Sequence, residues 1–185
     1  MGLSIARKLN EYGAKVDVIL GPSSEDVGLD GIKVSRVTSA DDMFAATEKA
    51  FSEADIVVLA AAVADFKPKN PSETKIKKDD KNFILELTNT TDIAATLGKK
   101  KVNGQVIVGF ALETNNELKN AEKKMREKNF DIIVLNSLQD QGAGFGHDTN
   151  KITILFKNNK TRQFELKSKT EVAKDIVDAI VEKHF

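Results

Sequence analysis

Four short apolar runs constrain this chain more than any other feature. They are Lys15–Leu20 (KVDVIL), Asp55–Leu59 (DIVVL), Gln105–Phe110 (QVIVGF) and Asp131–Leu135 (DIIVL). Near-continuous apolar runs of this length read as strands buried on both faces. Helical patterns separate them, at Met1–Tyr12, Ala40–Ser52, Thr90–Lys99 and Glu113–Lys128. Such alternation predicts an α/β fold, a Rossmann-like doubly wound sheet that is mainly parallel. All four runs are expected in one central sheet. Ile32–Val37 is a further strand candidate, and Asn82–Leu87 reads as a half-buried strand because Phe83, Leu85 and Leu87 share a face. Lys151–Phe156 and Thr161–Leu166 form a C-terminal hairpin pattern, and Ser168 with Glu171 makes a capping box for a final helix.

The chain has 185 residues, which fits a single domain with a sizeable core. Its 28 basic and 28 acidic residues balance, which argues against nucleic acid as the main partner. With no cysteine, neither disulfides nor thiolate chemistry is available, and a reducing cytoplasmic setting fits. No apolar run approaches the roughly 18 residues of a membrane span.

Chemistry concentrates after the strand runs. Leu59–Lys78 passes from Ala60, Ala61 and Ala62 to Asp65, Pro68 and Pro71, with Lys67, Lys69, Lys75, Lys77 and Lys78 interspersed. Small residues let a ligand approach the backbone at a strand's C-terminal end, where open α/β sheets bind ligands. The prolines predict an irregular, mobile loop, and its lysines read either as a lid over an anion or as a solvated basic loop. Thr90, Thr91 and Asp92 stand at a helix start, suited to an anion or to ordinary capping. Gly109 permits close approach of a ligand or of backbone, and Phe110 can stack on a base or sit in the core. Lys124 and Lys128 share one helix face and can take a phosphate chain or face solvent. His147 and His184 show no metal-ligand spacing. The glycine fingerprint of dinucleotide-binding oxidoreductases is absent.

In series, the motifs AAVADF, KIKK, TDI, VGFALET, a helix with two spaced lysines, DIIVLN and GFGHDTN resemble the phosphopantothenate–cysteine ligase family of coenzyme A biosynthesis. The resemblance runs through nearly the whole chain in one order. It implies that a nucleoside triphosphate, CTP or ATP with Mg²⁺, activates the carboxylate of 4′-phosphopantothenate as an acyl-nucleotide. L-cysteine then attacks to form the amide. It places nucleotide contacts at Ala61, Asp65, Lys75, Thr91, Asp92, Ile93, Ala94, Phe110, Lys124 and Lys128. Catalytic roles fall on Lys75, as a flap lysine, and on Asn136. It also implies a cytoplasmic homodimer and a fused or separate phosphopantothenoylcysteine decarboxylase as pathway partner. Asp65, Thr91, Phe110, Lys124 and Lys128 are expected in one cleft.

The family pattern opens with a strand, a Gly-rich turn and an Asn-x-Ser-Ser-Gly-Lys segment immediately before a Met-Gly-Leu like Met1-Gly2-Leu3. That part is missing here, so residues 1–185 are expected to be one N-terminally truncated ligase-like domain with an open strand edge. A non-catalytic nucleotide-binding module is the alternative.

Overall fold

A computed structural model of the chain describes residues 1–23, 31–78, 82–113, 115–137 and 148–184. In chain order its elements are α1 (Gly2–Glu11), β1 (Asp17–Leu20), β2 (Lys33–Arg36), α2 (Ala40–Phe51), β3 (Ile56–Leu59), β4 (Phe66–Pro68), β5 (Leu87–Asn89) and α3 (Ile93–Lys100). There follow β6 (Val106–Glu113), α4 (Glu117–Glu127), β7 (Ile132–Ser137), β8 (Thr149–Asn150), β9 (Ile152–Phe156), β10 (Thr161–Gln163), β11 (Lys167–Ser168) and α5 (Lys169–His184).

The central sheet has five strands in the order β10-β9-β7-β6-β3. β3, β6 and β7 run parallel, while the C-terminal hairpin β9–β10 adds antiparallel to β7. Alternation along these strands sorts their side chains to two faces. Val106, Val108, Ile132, Val134, Ile152 and Ile154 meet α5 through Val172, Ile176 and Ile180. Ile107, Ala111, Ile133, Leu135 and Leu155 meet Leu97 of α3, Ala121 and Met125 of α4, and Phe130.

Local chemistry sets the element ends. At α1, Gly13 at φ 86° allows a Schellman ending, with Gly13 N–H donating to Asn10 O and Ala14 N–H to Leu9 O. Ser39 and Asp42 close a capping box on α2, and Ser168 and Glu171 exchange the same bonds before α5.

Three expectations are corrected. β1 does not join the central sheet; it pairs only with β2, in parallel, as a separate two-stranded sheet. Among the described residues both β1 and β3 keep one edge without a strand partner. β3 is apolar throughout, yet each of its residues is only half-buried. An apolar run signals burial but does not name the neighbour that supplies it.

The second correction concerns Asn82–Leu87, where 82–86 form no strand and are exposed; pairing begins only at Leu87. The third concerns the Pro-containing stretch. Phe66–Pro68 pairs antiparallel with Leu87–Asn89, making the stem of an arm rather than an unstructured loop. Pro68 is tolerated because an edge strand needs no N–H from every residue. In addition, β6 continues to Glu113, and α4 begins at Glu117 instead of Glu113.

Candidate functional site

The arm rises from the C-terminal end of β3. Its base is tied to the approach to α3: Thr90 Oγ1 donates to Ala64 O at 2.6 Å, and Thr90 N–H donates to Asp65 O at 2.9 Å. Those bonds bring the largely exposed Ala61–Asp65 segment beside Thr91 and Asp92. Lys69 is paired with Glu86 at 2.6 Å across the arm, and Lys67 with Asp41 of α2. Lys75, Lys77 and Lys78 lie exposed on the arm beyond the stem.

Asp92 is the N-cap of α3 and accepts from Ala95 N–H at 2.9 Å. It also holds Lys128, whose Nζ stands 2.9 Å from Asp92 Oδ2. Partial burial opposes ionisation of this carboxyl. The Ala95 amide and the Lys128 ammonium outweigh it, and the pKa lies below the ordinary aspartate value. Ile93 is buried, so its side chain belongs to the core and only its backbone is available to a ligand. Ala94 packs against the same core.

One turn before Lys128, Lys124 Nζ lies 3.2 Å from Glu113 Oε1. Asn120 Nδ2 reaches the other oxygen of Glu113 at 3.3 Å and donates to Asn115 O at 2.9 Å. The two lysines are therefore not free charges on a helix face. Each is held by a carboxylate, one from the end of β6 and one from the start of α3. Any anion at these lysines would have to compete with those carboxylates for the ammonium groups.

Phe110 does not join them. Its ring packs with the α5 side of the sheet, whereas α4 and its lysines cover the other side. The expected single cleft of Asp65, Thr91, Phe110, Lys124 and Lys128 is thus corrected: Thr91, Lys124 and Lys128 group on the α3–α4 side, and Phe110 offers only its backbone there. The reason is the two-residue period of β6, which sends neighbours to opposite faces. Gly109 likewise has a packing role, since a Cβ there would sit 2.1 Å from Phe130 Cε2.

Asn136 is on the Phe110 face of β7, in register with Leu112 and Ile152. Its Oδ1 accepts from Asn150 Nδ2 at 3.1 Å. Of GFGHDTN, Gly144–His147 lie outside the described residues. His184 lies near Gln105 and Val106, where the parallel strands begin, and lines a cavity of about 480 Å³ with Lys101 and Lys183. A second cavity of about 350 Å³ separates α4 from the β9–β10 hairpin.

Glu113 and Asn150 were missed by sequence reasoning. Glu113 read as a helix start, and an acid closing an apolar strand was the available signal. Asn150 is 3% exposed, and a polar residue directly before an apolar strand gave no hint of that burial.

Among the described residues, no group of three or more His, Cys, Asp or Glu side chains could hold a metal ion. Asp92 and Glu113 are each engaged by a lysine. The donor set fits Mg²⁺ only as a cation carried mainly by phosphate oxygens.

Comparison with known proteins gives a consistent family. Residues 1–184 match the family described as the DNA/pantothenate metabolism flavoprotein C-terminal domain. A relative named cysteine/cysteine sulfinic acid decarboxylase, from an unknown prokaryotic organism, is 50% identical over 98% of this chain and 50% of its own length. The Bacillus subtilis coenzyme A biosynthesis bifunctional protein CoaBC is 42% identical over 97% of this chain and 44% of its own. The chain spans about half the length of these curated relatives. The crystal structure of a C-terminal domain of CoaBC superposes with a TM-score of 0.80 at 34% identity, covering 97% of this chain and 79% of that one.

Proposed function

Since the chain belongs to the DNA/pantothenate metabolism flavoprotein C-terminal domain family, the phosphopantothenate–cysteine ligase domain, we propose that it joins 4′-phosphopantothenate to L-cysteine at the expense of a nucleoside triphosphate. The observation that carries this reading is the pair of carboxylate-held lysines, Lys124 with Glu113 and Lys128 with Asp92, at the C-terminal strand ends. An acyl-nucleotide route needs no protein nucleophile. It needs a phosphate chain held still and its developing charge met by preset cations.

In this reading Lys124 and Lys128 take phosphate oxygens, and Thr91–Ala94 supplies a polar edge through Thr91, Asp92 and the helix-start backbone. Ala61 and Asp65 border the nucleotide from the base of the arm, and the Phe110 backbone borders it at the end of β6. Lys75 closes over the activated intermediate as part of the arm, and Asn136 contacts the substrate from β7. Mg²⁺ supplies charge neutralisation on the triphosphate when bound. The nucleotide we propose is CTP rather than ATP, as the family resemblance implies.

Two further proposals rest on exposed apolar surface and open strand edges. The arm presents Phe66, Ile76, Phe83, Ile84, Leu85 and Leu87, all more than half exposed. An apolar ribbon of that extent fits a second copy of the chain, making the enzyme a homodimer. The open, half-buried edge of β3 and the open edge of β1 could each pair with a further strand. The same open edges favour the second reading, nucleotide binding without turnover. A cytoplasmic location, with a decarboxylase fused or separate, completes the proposal. No helix among the described residues is long and apolar enough to cross a membrane.

The test is pyrophosphate release and amide formation with 4′-phosphopantothenate, L-cysteine and either CTP or ATP. Release that requires 4′-phosphopantothenate supports the ligase. Nucleotide binding without release supports the second reading, and binding of neither nucleotide refutes both.

A further inference from the structure

Asn150 is buried, and its side-chain amide is used at both ends. The Lys151 backbone N–H donates to its Oδ1 at 3.1 Å, and its Nδ2 donates to Asn136 Oδ1 at 3.1 Å. These two bonds determine one another. A backbone N–H can only donate, so the atom of Asn150 facing Lys151 must be the oxygen. Its nitrogen then faces Asn136, and the atom of Asn136 facing it must be an acceptor. The amide of Asn136 is thereby oriented with its oxygen toward Asn150 and its nitrogen directed away. The chain of constraint begins at a main-chain group and ends at a side chain on the C-terminal end of β7. The backbone on both sides is fixed: Asn150 pairs with Lys167 of β11, and Asn136 lies between Leu112 and Ile152.

We propose that Asn150 is a positioning residue that makes Asn136 present its N–H donors, rather than its carbonyl oxygen, to the ligand. The group recognised is an acceptor oxygen of the substrate, a carboxylate, acyl or phosphate oxygen. The identity of that substrate rests on the ligase reading above; the orientation does not. An amide held in one orientation discriminates, because the reversed amide would set oxygen against oxygen and leave a polar atom unpaired. Asn150 touches no substrate in this scheme and acts only through Asn136.

The test uses the 185-residue chain with Asn136→Ala, Asn150→Ala, the double variant and Asn150→Asp. Calorimetry measures dissociation constants for CTP and for 4′-phosphopantothenate separately, and urea unfolding measures stability. Asn136→Ala and Asn150→Ala each weaken the same probe by roughly tenfold, and the double variant is no weaker than Asn136→Ala. Asn150→Asp decides the matter if Asn150→Ala does not fold. It keeps the volume and the acceptor for Lys151, but as a carboxylate it offers Asn136 no donor. Its affinity is reduced at about pH 8 and returns toward wild type as pH falls toward about 5, because a protonated buried carboxyl again donates to Asn136 Oδ1.

Additive losses in the double variant would overturn the inference, as would lost stability with unchanged affinity. An Asn150→Asp affinity that follows the wild-type pH profile would do the same. Wild-type binding with full affinity in Asn136→Ala overturns this inference alone. A wild-type chain that binds neither probe overturns the ligase reading and this inference with it.

Discussion

Replacing Gly109 by Ala separates two meanings of the glycine in VGFALET: close approach of a ligand, or close approach of the chain's own core. An ideal Cβ at this position lies 2.1, 2.4 and 2.7 Å from Cε2, Cδ2 and Cζ of Phe130. Carbon atoms in contact normally stand about 3.5–4.0 Å apart, so the ring would have to withdraw by well over 1 Å. It has little room to do so. Phe130 is 2% exposed and packs within the α3–α4 core cluster. Its backbone N–H is bonded to Met125 O, and Asp131 N–H next to it is bonded to Ile107 O. Overpacking a closed core costs about 1–3 kcal/mol, and the absence of an exit for the ring places this site near 3 kcal/mol. For a domain of this size that lowers Tm by about 6–12 °C. Chemical and thermal unfolding followed by circular dichroism would measure it. Combining Gly109→Ala with Phe130→Leu removes the clashing ring edge. The double variant should be more stable than the sum of the single losses predicts, with a coupling of about 1–3 kcal/mol. Wild-type stability in Gly109→Ala would refute the packing argument. If that variant also lost CTP affinity, the glycine would serve the ligand after all.

Lys75→Gln removes one positive charge from the arm and keeps most of the side chain's length, so CTP affinity should stay near wild type while amide formation falls by at least tenfold. Rapid-quench analysis checks it, and wild-type turnover would return Lys75 to a solvated lysine. The depressed pKa of Asp92 has a definite sign for stability. A carboxyl whose folded pKa lies below its unfolded value of about 3.9 stabilises the fold above that value and loses the contribution as pH falls through the folded pKa. Below about pH 4 the stability of Asp92→Asn should therefore depend less steeply on pH than that of wild type in urea titrations, and parallel curves would contradict the assignment. Ile84 is 89% exposed on the arm, and Ile84→Lys should shift sedimentation toward monomer without lowering Tm of the monomer. An unchanged sedimentation coefficient would exclude the arm as the contact between copies.

Features that depend only on residues close in sequence are legible in the chain itself. Ser39 with Asp42 and Ser168 with Glu171 announce helix starts, because a capping bond spans only three residues. The runs QVIVGF and DIIVL announce buried parallel strands, and they pair in the central sheet. The ordered motifs, read together, also carry the family. Tertiary structure alone decided who stands beside whom. It separated β1 from β3, because a strand's lateral partner is chosen by hydrogen-bonding edges that a hydrophobic pattern does not encode. It turned Phe110 away from Lys124, since the face a strand residue occupies depends on which helix covers which side. It joined Lys124 to Glu113, Lys128 to Asp92, and Asn136 to Asn150 across 11, 36 and 14 residues of sequence. Such pairs form because packed layers bring strand ends and helix faces within a few ångströms, a consequence of global burial that no local window of sequence contains.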